Sequence, residues 1–250
     1  MKIGDFTEQA DAYARSRPDY PRALVERWAA ALGVGRGDRV ADIGAGTGIF
    51  TRLLATCGFD VVAVEPNAEM RAKAPDIPMV DGTFEATSLE GASIRWALAA
   101  QAFHWADPPL ALVEMRRILA PGGPFTVFWN DRDFANDSVV GWTREVIRRT
   151  VPEFDEAYRN RDWAAVLSSD GSFVDVRYDE EPHAVRMSRA RYLDLWRGHN
   201  RLNNIAGPER FAVFIGELET YLSAEHIDEV NVPYVCRSWT GVAATTGRAR

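Results

Sequence analysis

The chain has 250 residues, 46% of them hydrophobic, and a formal net charge of −7 carried by 36 acidic against 29 basic side chains. That length suits one large α/β domain with room for a covering segment, and the apolar content excludes a disordered chain. The acidic balance argues against a nucleic-acid partner, which needs a basic footprint. The N-terminal stretch from Met1 lacks the apolar core of a secretory signal, and no run approaches the roughly 18 apolar residues of a membrane helix. Cys57 and Cys236 form neither a metal-type spacing nor a disulfide framework. The expectation is a cytoplasmic protein with reduced thiols, no metal and no membrane partner.

In chain order, a helical pattern opens at Pro21 and runs to Leu32, stopped by Gly33-Val34-Gly35. Arg39 to Ile43 predicts a first strand buried on both faces. A helix from Thr47 to Cys57 follows, ended by Gly58. Val61 to Val64 is the second strand and Glu65-Pro66 closes it, leading to a helix that reaches Ala74. Met79 to Val80 is a short third strand and Arg95 to Ala100 the fourth. A helix from Pro108 to Leu119 stops at Pro121-Gly122-Gly123, and Phe125 to Trp129 is the fifth strand. Strands alternating with helices at this rhythm predict a doubly wound, Rossmann-like, mostly parallel sheet with helices on both faces.

After Asn130 the rhythm breaks. Helices are expected at Val139 to Thr150 and Arg161 to Leu167. Phe173 to Tyr178 reads as a strand that His183 to Met187 continues. Helices follow at Arg189 to Asn203 and Pro208 to Ser223, and a closing strand at Glu229 to Thr240. This divides one domain into N-terminal helices (1–35), a cofactor-binding core (36–130), a substrate cover around a late strand (131–228) and the closing strand (229–240).

Chemistry concentrates at the end of the first strand, in Asp42-x-Gly44-x-Gly46-x-Gly48. Glycine turns after a strand hold nucleotides, but this spacing is one residue tighter than the dinucleotide fingerprint G-x-G-x-x-G. A Walker loop is excluded because its lysine is missing. Asp42 discriminates further. A carboxylate at the strand end repels a pyrophosphate and favours a cofactor carrying an ammonium and a sulfonium, as S-adenosylmethionine does. Glu65, 23 residues later, stands where an acid accepts both hydroxyls of a ribose. It serves any nucleoside.

Six stretches carry a more specific likeness: Tyr13-x-x-x-Arg17-Pro18-x-Tyr20-Pro21, the glycine turn, Val64-Glu65-Pro66-Asn67 with Met70-Arg71, Gly82-Thr83-Phe84-Glu85, Gln101-Ala102-Phe103-His104-Trp105, and Leu119-Ala120-Pro121-Gly122-Gly123. In this order they resemble the class I S-adenosylmethionine-dependent methyltransferases, and among them the small-molecule subgroup that includes trans-aconitate methyltransferases. The likeness covers most of residues 6 to 130 and is loose beyond. It implies that Asp42 and the turn Gly44, Ala45, Gly46, Thr47, Gly48 hold the methionine moiety, and that Glu65, with Pro66 beside it, holds the ribose. Met70, Thr83 and Phe84 line the adenine slot, followed by Glu85, while Gln101 and Ala102 sit beside the methionine end. Tyr13, Arg17 and Tyr20 close as a lid. Many relatives carry an acid where Thr83 stands, and often an Asp at the start of the fourth strand, where this chain has Arg95-Trp96.

Methyl transfer from a sulfonium needs proximity, orientation and exclusion of water, with a base only where the acceptor must lose a proton. His104, just past the fourth strand, is the candidate base; the alternative is a structural histidine in the Phe-His-Trp loop. Trp105 and Trp129 are candidate walls of the acceptor site, or core. Asn130, just past the fifth strand, is a further candidate for the acceptor site. Trp196, His199, Asn200 and Asn203 fall at near-helical spacing and present one face over the substrate, or belong to a surface helix with one buried tryptophan, and Arg132, Arg186, Arg197 and Arg201 are candidate clamps for an anionic acceptor or solvated surface charges. The expected activity is methylation of a small organic acceptor at an oxygen, carboxylate or hydroxyl, with nitrogen or carbon as alternatives. A nicotinamide-dependent oxidoreductase and a cofactor-holding, pericyclase-like protein are the rivals from other classes.

Overall fold

In the computed structural model, seven strands join in one sheet in the order β3-β2-β1-β4-β5-β7-β6. The structure describes residues 18, 20–134, 138–155 and 161–245. Five strands are successive and mutually parallel: β1 (Arg39–Ile43), β2 (Asp60–Val64), β3 (Met79–Val80), β4 (Trp96–Ala100) and β5 (Pro124–Arg132). β7 (Glu229–Ala243) runs antiparallel between β5 and β6 (Phe173–Ser188). The strand order reverses between β1 and β4, and ligands of doubly wound sheets bind in the crevice beyond the strand ends at such a point.

The helices begin and end where local chemistry directs. α1 (Arg22–Leu32) stops at Gly33, whose φ of 64° is left-handed. α2 (Ile49–Cys57) starts two residues later than the periodicity suggests, because Gly48 is itself left-handed at φ 75° and keeps the turn open. α3 (Ala68–Ala72) is capped by Asn67, whose side chain accepts from the Glu69 and Met70 amides. α4 (Pro108–Ile118) opens on two prolines, residues whose missing amide costs nothing in a first turn. α5 (Ser138–Thr150) and α6 (Trp163–Ser168) follow.

Beyond α6 the chain departs from its expected boundaries. β6 is one unbroken strand, with His183 to Met187 continuing Phe173 to Tyr178 as expected, and a register irregularity between Val174 and Arg177. The expected helix from Arg189 to Asn203 ends at Arg197 as α7, and α8 (Asn200–Ala224) restarts two residues beyond Gly198. The His199 side chain accepts from the Leu202 amide and so caps the new start. α8 bends at Gly207, φ 72°, just before Pro208, which cannot supply the hydrogen bond a straight helix needs there.

Alternate residues of each strand face opposite sides. One side of the sheet packs on α4 and α6 through Ala97, Phe125, Val127 and Trp129. The other packs on α1 and α2 through Val40, Leu98 and Phe128. A third cluster joins α5, α7 and α8 to β6 and β7 through Tyr192, Trp196, Phe214, Val232 and Tyr234. It raises a helical layer beside the strand ends, next to the crevice.

Candidate active site

Two chambers meet at the carboxyl ends of β1 and β4. The larger, about 310 Å³, is lined by Glu65, Met70, Thr83, Phe84, Ala102 and Trp105 among others. The smaller, about 50 Å³, holds Asp42, Thr47, Tyr20 and Phe50. Gly44, Gly46, Ala100 and Gln101 border both, so the glycine turn and the end of β4 form the sill between them.

The turn is fixed by backbone and by Glu65. The amides of Gly44 and Ala45 both donate to the Val64 carbonyl at 2.8 and 3.0 Å. Gly46 N donates to Glu65 Oε2 at 2.8 Å, and Asn67 N to Glu65 Oε1 at 2.9 Å. Burial pushes the Glu65 carboxyl up, while these amides and Arg71 pull it back. The three glycines differ in cause, although all have positive φ. A Cβ on Gly44 would lie 2.7 Å from the Ala102 Cβ and 3.3 Å from the Phe84 ring, and one on Gly48 would lie 2.4 Å from Ile77. Only a Cβ on Gly46 would meet open space. Two glycines admit neighbouring side chains, and the third leaves room for a ligand.

Asp42 is fully buried. Its Oδ2 accepts from Thr51 Oγ1 at 2.6 Å, and its Oδ1 has no partner. Burial, with a smaller contribution from Glu65, pushes this carboxyl up to about 7. A buried acceptor on the wall of a small chamber calls for a donor, and a cationic one restores its ordinary acidity. Gln101 adds strain at the sill: its φ of 58° lies in the left-handed region, held by its amide on the Phe128 carbonyl at 2.9 Å and by Nε2 on the Asn130 carbonyl at 3.2 Å.

Other expected site residues fall where their packing puts them. Thr83 Oγ1 accepts from the Glu85 and Ala86 amides at 3.2 Å each and shapes the loop under the larger chamber. Glu85 borders that chamber and its Oε1 accepts from the Asp107 amide at 2.8 Å. Pro66 and Ala102 line the larger chamber, while Ala45 lines the smaller. Trp105, 45% exposed, also lies on the larger chamber. Trp129 is buried, stacked on Trp163 at 4.5 Å, and its indole N–H donates to His104 Nδ1 at 3.2 Å. That bond places the lone pair of a neutral imidazole at Nδ1 and its proton at Nε2. Trp196 is buried among α7 and α8, stacked near His199, and Asn200 begins α8. Asn203 follows within α8, its amide bonded to the His199 carbonyl. Arg186 pairs with Glu229, and Arg197 with Asp194 and Glu219. Tyr13 and Arg17 lie outside the described residues.

Sequence reading gave no site role to Asn67 and Gly82, named only within the family stretches, nor to Ile49, Phe50 and Ala100, all of which also line the chambers. Phe50 follows the turn by two residues, and its position at a helix start was the available signal. Gly82 is required by its own loop, since a Cβ there would lie 2.7 Å from the Thr87 carbonyl oxygen. Among the described residues no cluster of potential ligands suits a metal ion, and no helix is long and apolar enough to cross a membrane.

A methyltransferase domain model matches residues 41–127, from within β1 to within β5. An uncharacterized methyltransferase of Mycobacterium tuberculosis is 41% identical over 145 residues, 56% of this chain and 56% of that protein. The chain therefore spans little more than half the length of such curated relatives. An uncharacterized methyltransferase-like protein of Schizosaccharomyces pombe is 31% identical over 183 residues, covering 69% of this chain and 68% of that one. A candidate methyltransferase from an antibiotic biosynthesis pathway of Anabaena variabilis shares the fold, with a TM-score of 0.63 at 21% identity over 90% of this chain and 98% of its own. The turn, the strand-end acids and these relatives agree: the chain belongs to the class I S-adenosylmethionine-dependent methyltransferases.

Proposed function

We propose that the two chambers together hold S-adenosylmethionine and that the protein methylates a small organic acceptor at an oxygen. The observation that carries the reading is the pairing of a buried, unpartnered Asp42 Oδ1 in the smaller chamber with Glu65 in the larger. An ammonium suits the first and a ribose diol the second. A pyrophosphate suits neither, which separates this reading from a nicotinamide-dependent oxidoreductase. The open space over Gly46 lets a ligand cross the sill.

S-adenosylmethionine supplies, when bound, a methyl group on a sulfonium. The chain's own residues orient and exclude water. Asp42 and the turn amides hold the amino-acid end, and Glu65, itself fixed by two amides, takes the ribose. Phe84, packed edge-on against Phe103 at 5.4 Å, gives the adenine an apolar wall with Met70. Gln101, constrained at the sill, sets the boundary between donor and acceptor. The layer of α5, α7 and α8 serves as the acceptor's cover. His104 acts as a scaffold for the Phe-His-Trp loop, since its Nδ1 lone pair is taken by Trp129. A relative named demethylmenaquinone methyltransferase, from Renibacterium salmoninarum, is 35% identical over 106 residues, and its name supports a small-molecule acceptor here.

Calorimetric titration with S-adenosylhomocysteine and, separately, NADH tests the cofactor. Binding of the first and not the second is expected, and the reverse overturns the reading. Transfer of labelled methyl from the cofactor into a small-metabolite extract distinguishes a transferase from a cofactor-holding protein.

A further inference from the structure

Among the described residues, Asn130, Tyr234 and Trp196 are buried beyond the chambers with polar atoms that have no hydrogen-bond partner, and the first two offer oxygens. Asn130 is 4% exposed, and neither its Oδ1 nor its Nδ2 has a hydrogen-bond partner. Tyr234 is 2% exposed, and its hydroxyl has none either. Buried polar groups in native proteins are nearly always satisfied, so the unmatched Asn130 and Tyr234 point to something that binds there.

The register brings them together. Arg132 lies directly opposite Tyr234 in the β5–β7 ladder, and Asn130 precedes Arg132 by two residues, so the three share one face. It is the face of Phe128, whose ring meets Tyr20 at 5.2 Å and Phe50 at 4.9 Å, both walls of the smaller chamber. The Asn130 end adjoins the sill, because Gln101 Nε2 donates to the Asn130 carbonyl. The far end lies under the helical layer, where the Arg132 guanidinium sits 4.4 Å from the centroid of the Trp196 ring. Two residues of strand separate the ends, about 7 Å.

This strip is asymmetric. Near the sill, Asn130 offers an acceptor as well as a donor, which suits an O–H group. Further out, a hydroxyl and a guanidinium suit an anion.

We propose that Asn130, Tyr234 and Arg132 bind the acceptor, and that it is a hydroxy acid whose hydroxyl lies at Asn130 and whose carboxylate reaches Tyr234 and Arg132. This rests on the reading of the chambers as the methyl-donor site. The hydroxyl oxygen forms the new bond to the methyl carbon as the carbon–sulfur bond breaks, its electron pair going to sulfur and the hydroxyl proton to water. The carboxylate, held at the far end, is an anchor and keeps its charge.

Three probes built on one aromatic ring separate the two ends of the strip: 4-hydroxybenzoate, benzoate and methyl 4-hydroxybenzoate. Each is titrated by calorimetry into the full chain saturated with S-adenosylhomocysteine. The first is expected to bind about tenfold or more tightly than either of the others, since a site built for a polar group rejects the analogue lacking it. Tyr234→Phe should narrow the gap to the ester, and Asn130→Leu the gap to benzoate. Both variants should keep S-adenosylhomocysteine affinity, and neither should melt lower than the parent, because each removes an unsatisfied group. Equal binding of the three probes, or binding of none while S-adenosylhomocysteine still binds, overturns the hydroxy-acid strip and leaves the donor site standing. Variants that melt lower show that the two groups have partners in the empty protein and also overturn it. Failure of S-adenosylhomocysteine itself to bind overturns the donor-site reading instead.

Discussion

Glu65 Oε2 accepts the Gly46 amide across the crevice, so the acid that ends β2 also fixes the glycine turn that follows β1. One side chain both shapes the turn and faces the larger chamber. Glu65→Ala therefore removes an anchor of the turn together with the carboxylate proposed to accept the ribose. S-adenosylhomocysteine affinity should fall by about 2–3 kcal/mol, as for hydrogen bonds to a charged group. Calorimetry returning the parental affinity removes Glu65 from the site.

Asp42 predicts a pH dependence of opposite sign for stability and for binding. Its carboxyl is held up to about 7 in the empty protein, chiefly by burial. A raised acid binds its proton more tightly folded than unfolded, so stability falls as pH rises from about 4 to 7 and levels off above. Asp42→Asn should thus stabilise the empty protein by about 2–4 kcal/mol at pH 8 and by little at pH 4. A cation placed beside Oδ1 drives the proton off, so affinity for S-adenosylhomocysteine should climb between pH 5 and 7, with proton release seen in buffers of different ionisation enthalpy. Pairing of Oδ1 with a neutral donor would give no such release.

The glycines offer a contrast within one turn. Gly44→Ala forces a Cβ against Ala102 and Phe84 and should lower both melting temperature and ligand binding. Gly46→Ala meets only open space and bears the left-handed backbone cost, about 1 kcal/mol. It should melt near the parent and still lose ligand, because the methyl fills the passage between the chambers. Equal loss of stability in the two variants would show that the passage over Gly46 is not where the ligand runs.

A structural tie beneath the larger chamber should show the ordinary acid sign. Glu114 accepts from Thr87, through both amide and hydroxyl, and from Arg117, which with Thr87 holds its carboxyl down to about 2. A depressed acid contributes stability above its unfolded value that is lost as pH falls toward 2. Glu114→Gln should cost about 2–3 kcal/mol at pH 7 and much less at pH 3. Denaturant titrations at the two pH values check this; an equal cost at both would assign the loss to packing.

The architecture up to β5 was legible because each signal there is local. Strand β1 occupies the span its apolar run predicts, and a glycine turn followed by an acid at the next strand end needs no distant information. The strip proposed for the acceptor was not. Asn130, just past the expected fifth strand, was a candidate for the acceptor site, while Tyr234 lies over a hundred residues away and meets its face through an antiparallel pairing that no short window reveals. Trp129 read equally as pocket wall or core, and Trp196 read by its spacing as covering the substrate or as the one buried tryptophan of a surface helix; the alternation of β5 turns Trp129 into the core with Trp163, and the ends of α7 and α8 bury Trp196. The break between α7 and α8 escaped periodicity because a histidine cap is an unusual start signal.

His104 carries the sharpest test of mechanism. Its near-neutral acidity and its place after β4 made it a candidate base, but Trp129 donates to Nδ1 and the ring of Trp105 lies 4.7 Å away. A neutral ring so held exposes no second lone pair, because Nε2 then carries the proton. Acting as a base would require the imidazole to leave the indole and leave a buried N–H of Trp129 unpaired. His104→Gln keeps an acceptor for that N–H, whereas His104→Leu does not. The glutamine variant should turn over within about threefold of the parent per folded molecule, against the 10²–10⁴ expected for loss of a general base. The leucine variant should melt lower, by the roughly 1–3 kcal/mol of an unsatisfied buried donor. A steep loss of turnover in the glutamine variant, with cofactor affinity and melting temperature unchanged, would restore His104 as the base.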